Sequence, residues 1–79
     1  MLFSEAIARI SQLDAQIEAE REQLVGVNEL IGQTDDPYER ANLSSTFQMD
    51  IIRLQSLMES RDQAIDAVVD QIKFLQINR

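Results

Sequence analysis

The sequence predicts an all-α protein: a two-helix antiparallel coiled-coil hairpin, with helices at about 3–32 and 37–77, completed by oligomerisation. Three observations carry that reading. Apolar residues recur with a seven-residue period on both sides of one short stretch, Gly32-Gln33-Thr34-Asp35-Asp36-Pro37. Both glycines lie in or just before that stretch, and it holds the only proline. The chain is 44% hydrophobic but only 5% aromatic, which suits long helices and suits a sandwich or barrel poorly. At 79 residues there is room for one small domain, 1–79, with its turn at 32–37.

The turn follows from its residues. Gly32 can adopt the left-handed conformation that ends a helix at low cost. Pro37 lacks an N–H and has a fixed φ, which suits the first turn of a helix. Asp36 can cap the new helix, and Glu39 stands where a capping-box acid belongs. Asp35, Asp36 and Glu39 also favour a helix N-terminus through the macrodipole.

In the first helix Phe3, Ile10, Ile17, Leu24 and Ile31 form one heptad row. Ala6, Leu13 and Val27 form the second, which Glu20 interrupts. Ile7 and Leu30 widen the stripe. Ser4 is the expected N-cap, and Glu5 with Arg9 makes a supporting i,i+4 pair. Gly26 costs about 1 kcal/mol against alanine, so a kink there, or fraying from Gly26 to Gly32, is one expectation.

In the second helix the expected seam is Phe47, Ile51, Leu54, Met58, Ile65, Val68, Ile72 and Leu75, interrupted by Arg61. Leu43, Leu57, Ala64 and Val69 broaden it, while Ile52 and Phe74 lie off it. Met49 and Met58 read as gap-filling core residues. Ser44-Ser45-Thr46 are poor helix formers, and Ser45 with Gln48 could form a capping box. The alternative start for this helix is therefore near Thr46.

The second segment is the longer: ~41 residues span roughly 60 Å against roughly 45 Å for ~30. The first helix should run out near Val68, leaving Ile72, Phe74, Leu75 and Ile77 for subunit contacts. In a tight hairpin Glu20 lies opposite Ile51 and Arg61 opposite Ile10, so the two charges miss each other. Either both sit at an edge and reach water, or they meet partners on another subunit and fix register. The edge is the simpler expectation.

Composition limits function. The net charge is −7, with one lysine and no basic patch, which argues against nucleic acid and against an anionic membrane surface. No apolar run approaches a membrane helix, so no membrane insertion is expected. The N-terminus lacks a basic region and an h-region, which predicts synthesis in the cytosol and, if the chain is exported, a route that needs no cleavable signal. With no cysteine and no histidine, disulfides, the usual zinc sites and thiol or imidazole catalysis are excluded. Serines and threonines have no histidine base, and neither glycine belongs to a phosphate loop. Asp35, Asp36 and Glu39 are explained by turn chemistry rather than by calcium. No active site, cofactor or small-molecule substrate is expected. Glu59, Asp62, Asp66 and Asp70 share one helical face; the plain reading is a solvated surface, the functional one a docking stripe for a basic partner.

Asp36-Pro37 at the turn, Phe47-Gln48-Met49-Asp50-Ile51, and the ending Phe74-Leu75-Gln76-Ile77-Asn78-Arg79 resemble needle subunits of bacterial type III secretion systems. Those are short, cysteine-poor helical hairpins with a long C-terminal helix. The likeness covers about the second half of the chain. The first half departs from it: needle subunits open with a more polar, often Trp-containing stretch, and this chain has no tryptophan. Leu54 and Leu57 stand where the family carries tyrosines. The small helical-hairpin co-chaperones of the same systems are a comparable analogy. The resemblance implies a bacterial assembly subunit or its escort.

The expected function is thus that of a non-enzymatic structural protein, a hairpin that associates with itself. The alternative is a small acidic adaptor, co-chaperone or inhibitor that binds a helical partner through its apolar groove or acidic face. A third reading, an acidic mimic of nucleic acid, uses the net charge alone.

Overall fold

A computed structural model describes residues 3–77, apart from the side chain of Ile77, so the subunit contact expected of Ile77 lies outside the described residues. It is an all-α hairpin of two helices, α1 (Phe3–Gln33) and α2 (Pro37–Ile77). The molecule is a rod of 65 × 15 × 15 Å. Cross-hairpin pairs show the antiparallel course: Gln23 meets Asp50, Glu20 meets Arg53, and Asp14 meets Arg61.

The connection is three residues long, and its chemistry differs on its two sides. Asp36 caps α2: its Oδ1 accepts the N–H of Tyr38 at 3.0 Å, and its carbonyl accepts the N–H of Arg40 at 2.9 Å. On the α1 side the left-handed glycine does not occur, because no described glycine has a positive φ. The helix runs through Gly32 to Gln33. Thr34 closes it instead: its hydroxyl donates to the Leu30 carbonyl at 2.7 Å and its N–H to the Ile31 carbonyl at 3.5 Å. With those carbonyls satisfied, no left-handed residue is needed.

Both helices are unbroken. α1 passes through Gly26, so the helix does not end there. α2 begins at Pro37, not near Thr46. Thr46 sits in the helix with its hydroxyl donating to the Asn42 carbonyl at 3.1 Å, a back-bond a helix accommodates at a small cost. α1 starts at Phe3, which places Ser4 inside the first turn rather than at the cap.

α1 buries the expected rows, with Ala6, Leu13, Ile17 and Glu20 deepest. α2 covers most of its expected seam: Phe47, Ile51, Leu54, Ile65 and Val68, with Leu43, Leu57 and Ala64 beside them. Met58, Ile72 and Leu75 of that seam are exposed, and so is Met49; neither methionine fills a core gap. Two polar residues complete the covered face, Asp50 and Arg61, and both have partners on α1.

The cross-hairpin pairs bring Phe3 level with the neighbourhood of Gln71, so α2, which runs to Ile77, projects past the start of α1 by roughly 9 Å at 1.5 Å per residue. Ile72, Phe74 and Leu75 stand on that projection and are exposed. Among the described residues no helix is long and apolar enough to cross a membrane.

Candidate functional site

Two features distinguish this hairpin from a plain amphipathic one: a polar layer inside it and an apolar flank outside it.

The polar layer lies midway along the rod. Glu20 occupies a seam position of α1 and is only 7% exposed; Asp50 on α2 is 3% exposed. Gln23 donates its side-chain amide to both Asp50 oxygens, at 3.2 and 3.4 Å. Arg53 reaches in from the surface, 3.6 Å from Asp50 and 3.8 Å from Glu20. One arginine, itself more than half exposed, thus serves two buried carboxylates. The Glu20 Oε1 is buried and accepts no hydrogen bond. Such a layer resists sliding of one helix on the other, since any shift would strand a carboxylate.

The two seam breakers accordingly differ from expectation. Glu20 is not at an edge; it is buried. Arg61, partly exposed, pairs with Asp14 across the hairpin. Each has a counter-charge within its own chain, and Glu20 faces Arg53 rather than Ile51. Sequence reasoning missed Asp50, Gln23 and Arg53. Asp50 could have been found by testing the column 47-50-54-57-61-64-68, which also keeps heptad spacing, for complementary polar positions on the first helix.

The apolar flank lies along the half of the rod nearer its open end. Phe3 and Ile7 on α1, and Met58, Val69 and Ile72 on α2, are each between 40% and 47% exposed. A surface groove of about 390 Å3 enters the flank, lined by Ile17 and Met58 among the charged Asp14, Glu18, Arg21, Arg61 and Asp62. The opposite side of the hairpin has only small and polar side chains at this level, among them Ala6, Ser60, Ala64 and Ala67. The stripe residues Glu59, Asp62, Asp66 and Asp70 are all exposed, and Asp62 borders this groove.

Among the described residues no three His, Cys, Asp or Glu side chains are grouped to hold a metal ion. No family model, curated protein or solved structure matches the chain.

Proposed function

We propose that the chain is a non-enzymatic structural subunit: a helical hairpin that associates with copies of itself in a bundle-type assembly, such as a component of a bacterial secretion apparatus. One observation carries this reading. The chain exposes 6161 Å2, whereas a compact protein of 9.0 kDa exposes about 4,900 Å2. Only Ala6, Leu13, Ile17 and Val68 form a fully buried apolar core among the described residues. Two helices side by side leave the outer edges of both seams wet, and covering those edges contributes about 25 cal/mol per Å2. The acidic surface keeps such an assembly soluble. The projecting end of α2 supplies further exposed apolar residues for subunit contact.

The test is hydrodynamic. Phe74→Asp combined with Leu75→Asp should yield a smaller species than the parent chain in light scattering. A parent chain that is monomeric at high micromolar concentration refutes the reading.

A further inference from the structure

We propose that the flank formed by Phe3, Ile7, Ile10, Met58, Ile65, Val69 and Ile72 binds a second copy of this chain in antiparallel orientation, so that the open halves overlap as a four-helix bundle and the turns point apart. This rests on the reading of the chain as a self-associating subunit and names the face and the geometry.

The first argument is the flank that the hairpin leaves uncovered. Met58, Asp62, Ile65, Val69 and Ile72 recur at spacings of four and three, the pattern of a helix face that packs. On α1 the pattern recurs as Phe3, Ile7, Ile10, Asp14 and Ile17. Met58, Val69 and Ile72 on the one helix and Phe3 and Ile7 on the other are more than a third exposed, while Ile10 and Ile65 between them are half-covered. Two parallel rows with exposed aliphatic knobs thus lie on one side of the rod, and a groove opens at their turnward end. That surface matches the edge of a helix pair, which has the same two rows.

The second argument is area. The rod exposes about 1,300 Å2 more than a compact chain of its mass, and a standard interface takes about 800 Å2 from each partner. A second copy can therefore be accommodated on the surplus alone.

The third argument is charge, and it sets the orientation. Residues 18–57, the turn half, carry eight acids and three bases, a net −5. The remainder carries six acids and four bases, a net −2. A parallel pair would hold two −5 halves side by side, within roughly one Debye length, where repulsion is little screened. An antiparallel pair that overlaps only at the open halves sends them to opposite ends. Within the overlap Phe3, Ile7, Ile10, Ile65, Val69 and Ile72 are uncharged.

The chain has no cysteine, so single labels can be placed at will. Nitroxides at Ser11→Cys, exposed at the rim of the flank, and at Asp35→Cys, in the turn, are compared by dipolar spectroscopy. At 1.5 Å per residue the proposed pair brings the Ser11 labels within about 25 Å and holds the Asp35 labels roughly 80 Å apart. Sedimentation should give twice 9.0 kDa for the parent chain. Ile7→Glu with Val69→Glu should reduce that to the monomer with helical circular dichroism retained, while Met49→Glu with Ile52→Glu, at more exposed sites off the flank, should leave the dimer intact. Close Asp35 labels overturn the antiparallel pairing, and this label measurement holds even where the double glutamate variant unfolds. A folded flank variant that keeps the parent's size overturns the assignment of the face alone. A parent chain that stays monomeric overturns this proposal together with the assembly reading.

Discussion

The two halves of the rod solve the same packing problem with different materials. Among the described residues the four fully buried apolar ones, Ala6, Leu13, Ile17 and Val68, lie in the open half. The buried carboxylates Glu20 and Asp50 lie towards the turn, where the apolar seam residues Leu24, Val27, Ile31, Leu43 and Phe47 are only half-covered. The open half holds together by dry contact, with the part-exposed Asp14–Arg61 pair at its surface. The turn half holds its register by polar pairing and by the short connection. Apolar contact is non-directional and tolerates slippage. A carboxylate shared between an amide and a guanidinium tolerates little, since misplacement leaves a buried charge unpaired. Adhesion and alignment are thus weighted differently along one rod.

The strongest way to break the comparison is to weaken the dry half. Leu13 is 2% exposed, and Leu13→Ala should lower unfolding free energy by about 3 kcal/mol, the usual cost of emptying such a site. Leu24→Ala, in the half-covered turn half, should cost roughly half as much, in proportion to the area it removes. Urea denaturation at fixed protein concentration measures both, because assembly would make the midpoint depend on concentration. Equal losses at the two sites would show that the halves do not differ.

Much of this contrast was legible in the heptads, and a particular part was not. The rows of α1, the turn and the overshoot of α2 follow from apolar spacing, from Asp36-Pro37 and from length. On α2 the apolar seam followed for Phe47, Ile51, Leu54, Ile65 and Val68, while the burial of Asp50 and the exposure of Met58 and Ile72 did not. What hydrophobicity cannot reveal is a set of pairings between residues 27 to 47 positions apart, Gln23 with Asp50 and Arg61 with Asp14. Periodicity within one helix carries no information about a partner on the other. The glycine at position 32 misled for a related reason: Thr34 closes the helix from outside it, so the residue type most suited to a left-handed turn is not used as one.

The polar layer makes the second prediction. Glu20→Leu with Gln23→Leu gives α1 an apolar seam and removes the amide that holds Asp50, leaving it Arg53 alone. A buried carboxylate that loses a hydrogen-bond partner costs about 1–3 kcal/mol, which α2 can relieve by rolling so that Asp50 reaches water and Met58 turns inward. A cysteine at Met58, half-exposed in the parent, should then react several-fold more slowly with a thiol reagent, and one at Ile52, on the outer side, should not change. Unchanged reactivity at position 58 would mean that the covered face of α2 is set by something other than the polar layer. The net loss of stability should be about 1–2 kcal/mol, smaller than for Leu13→Ala because the roll offsets part of it.

The smallest effect sharpens the comparison at the turn end. Gly26 and Gly32 are both helical, neither has a positive φ, and an added Cβ at either would meet no atom within 4 Å. The turn half therefore carries two residues that lower helix propensity with no conformational need for them. Gly26→Ala, in the helix interior, should raise stability by about 1 kcal/mol. Gly32→Ala, in the last turn, should raise it by about half that, since terminal residues contribute less to the helical hydrogen-bond ladder. Thermal unfolding by circular dichroism distinguishes the two. If Gly32→Ala instead lowers the midpoint, the left-handed termination is populated in solution and Thr34 is not what ends α1. If both raise it, the turn half is shown to be the less stable half through its backbone as well as its packing, and its alignment rests on Glu20, Gln23, Asp50 and Arg53.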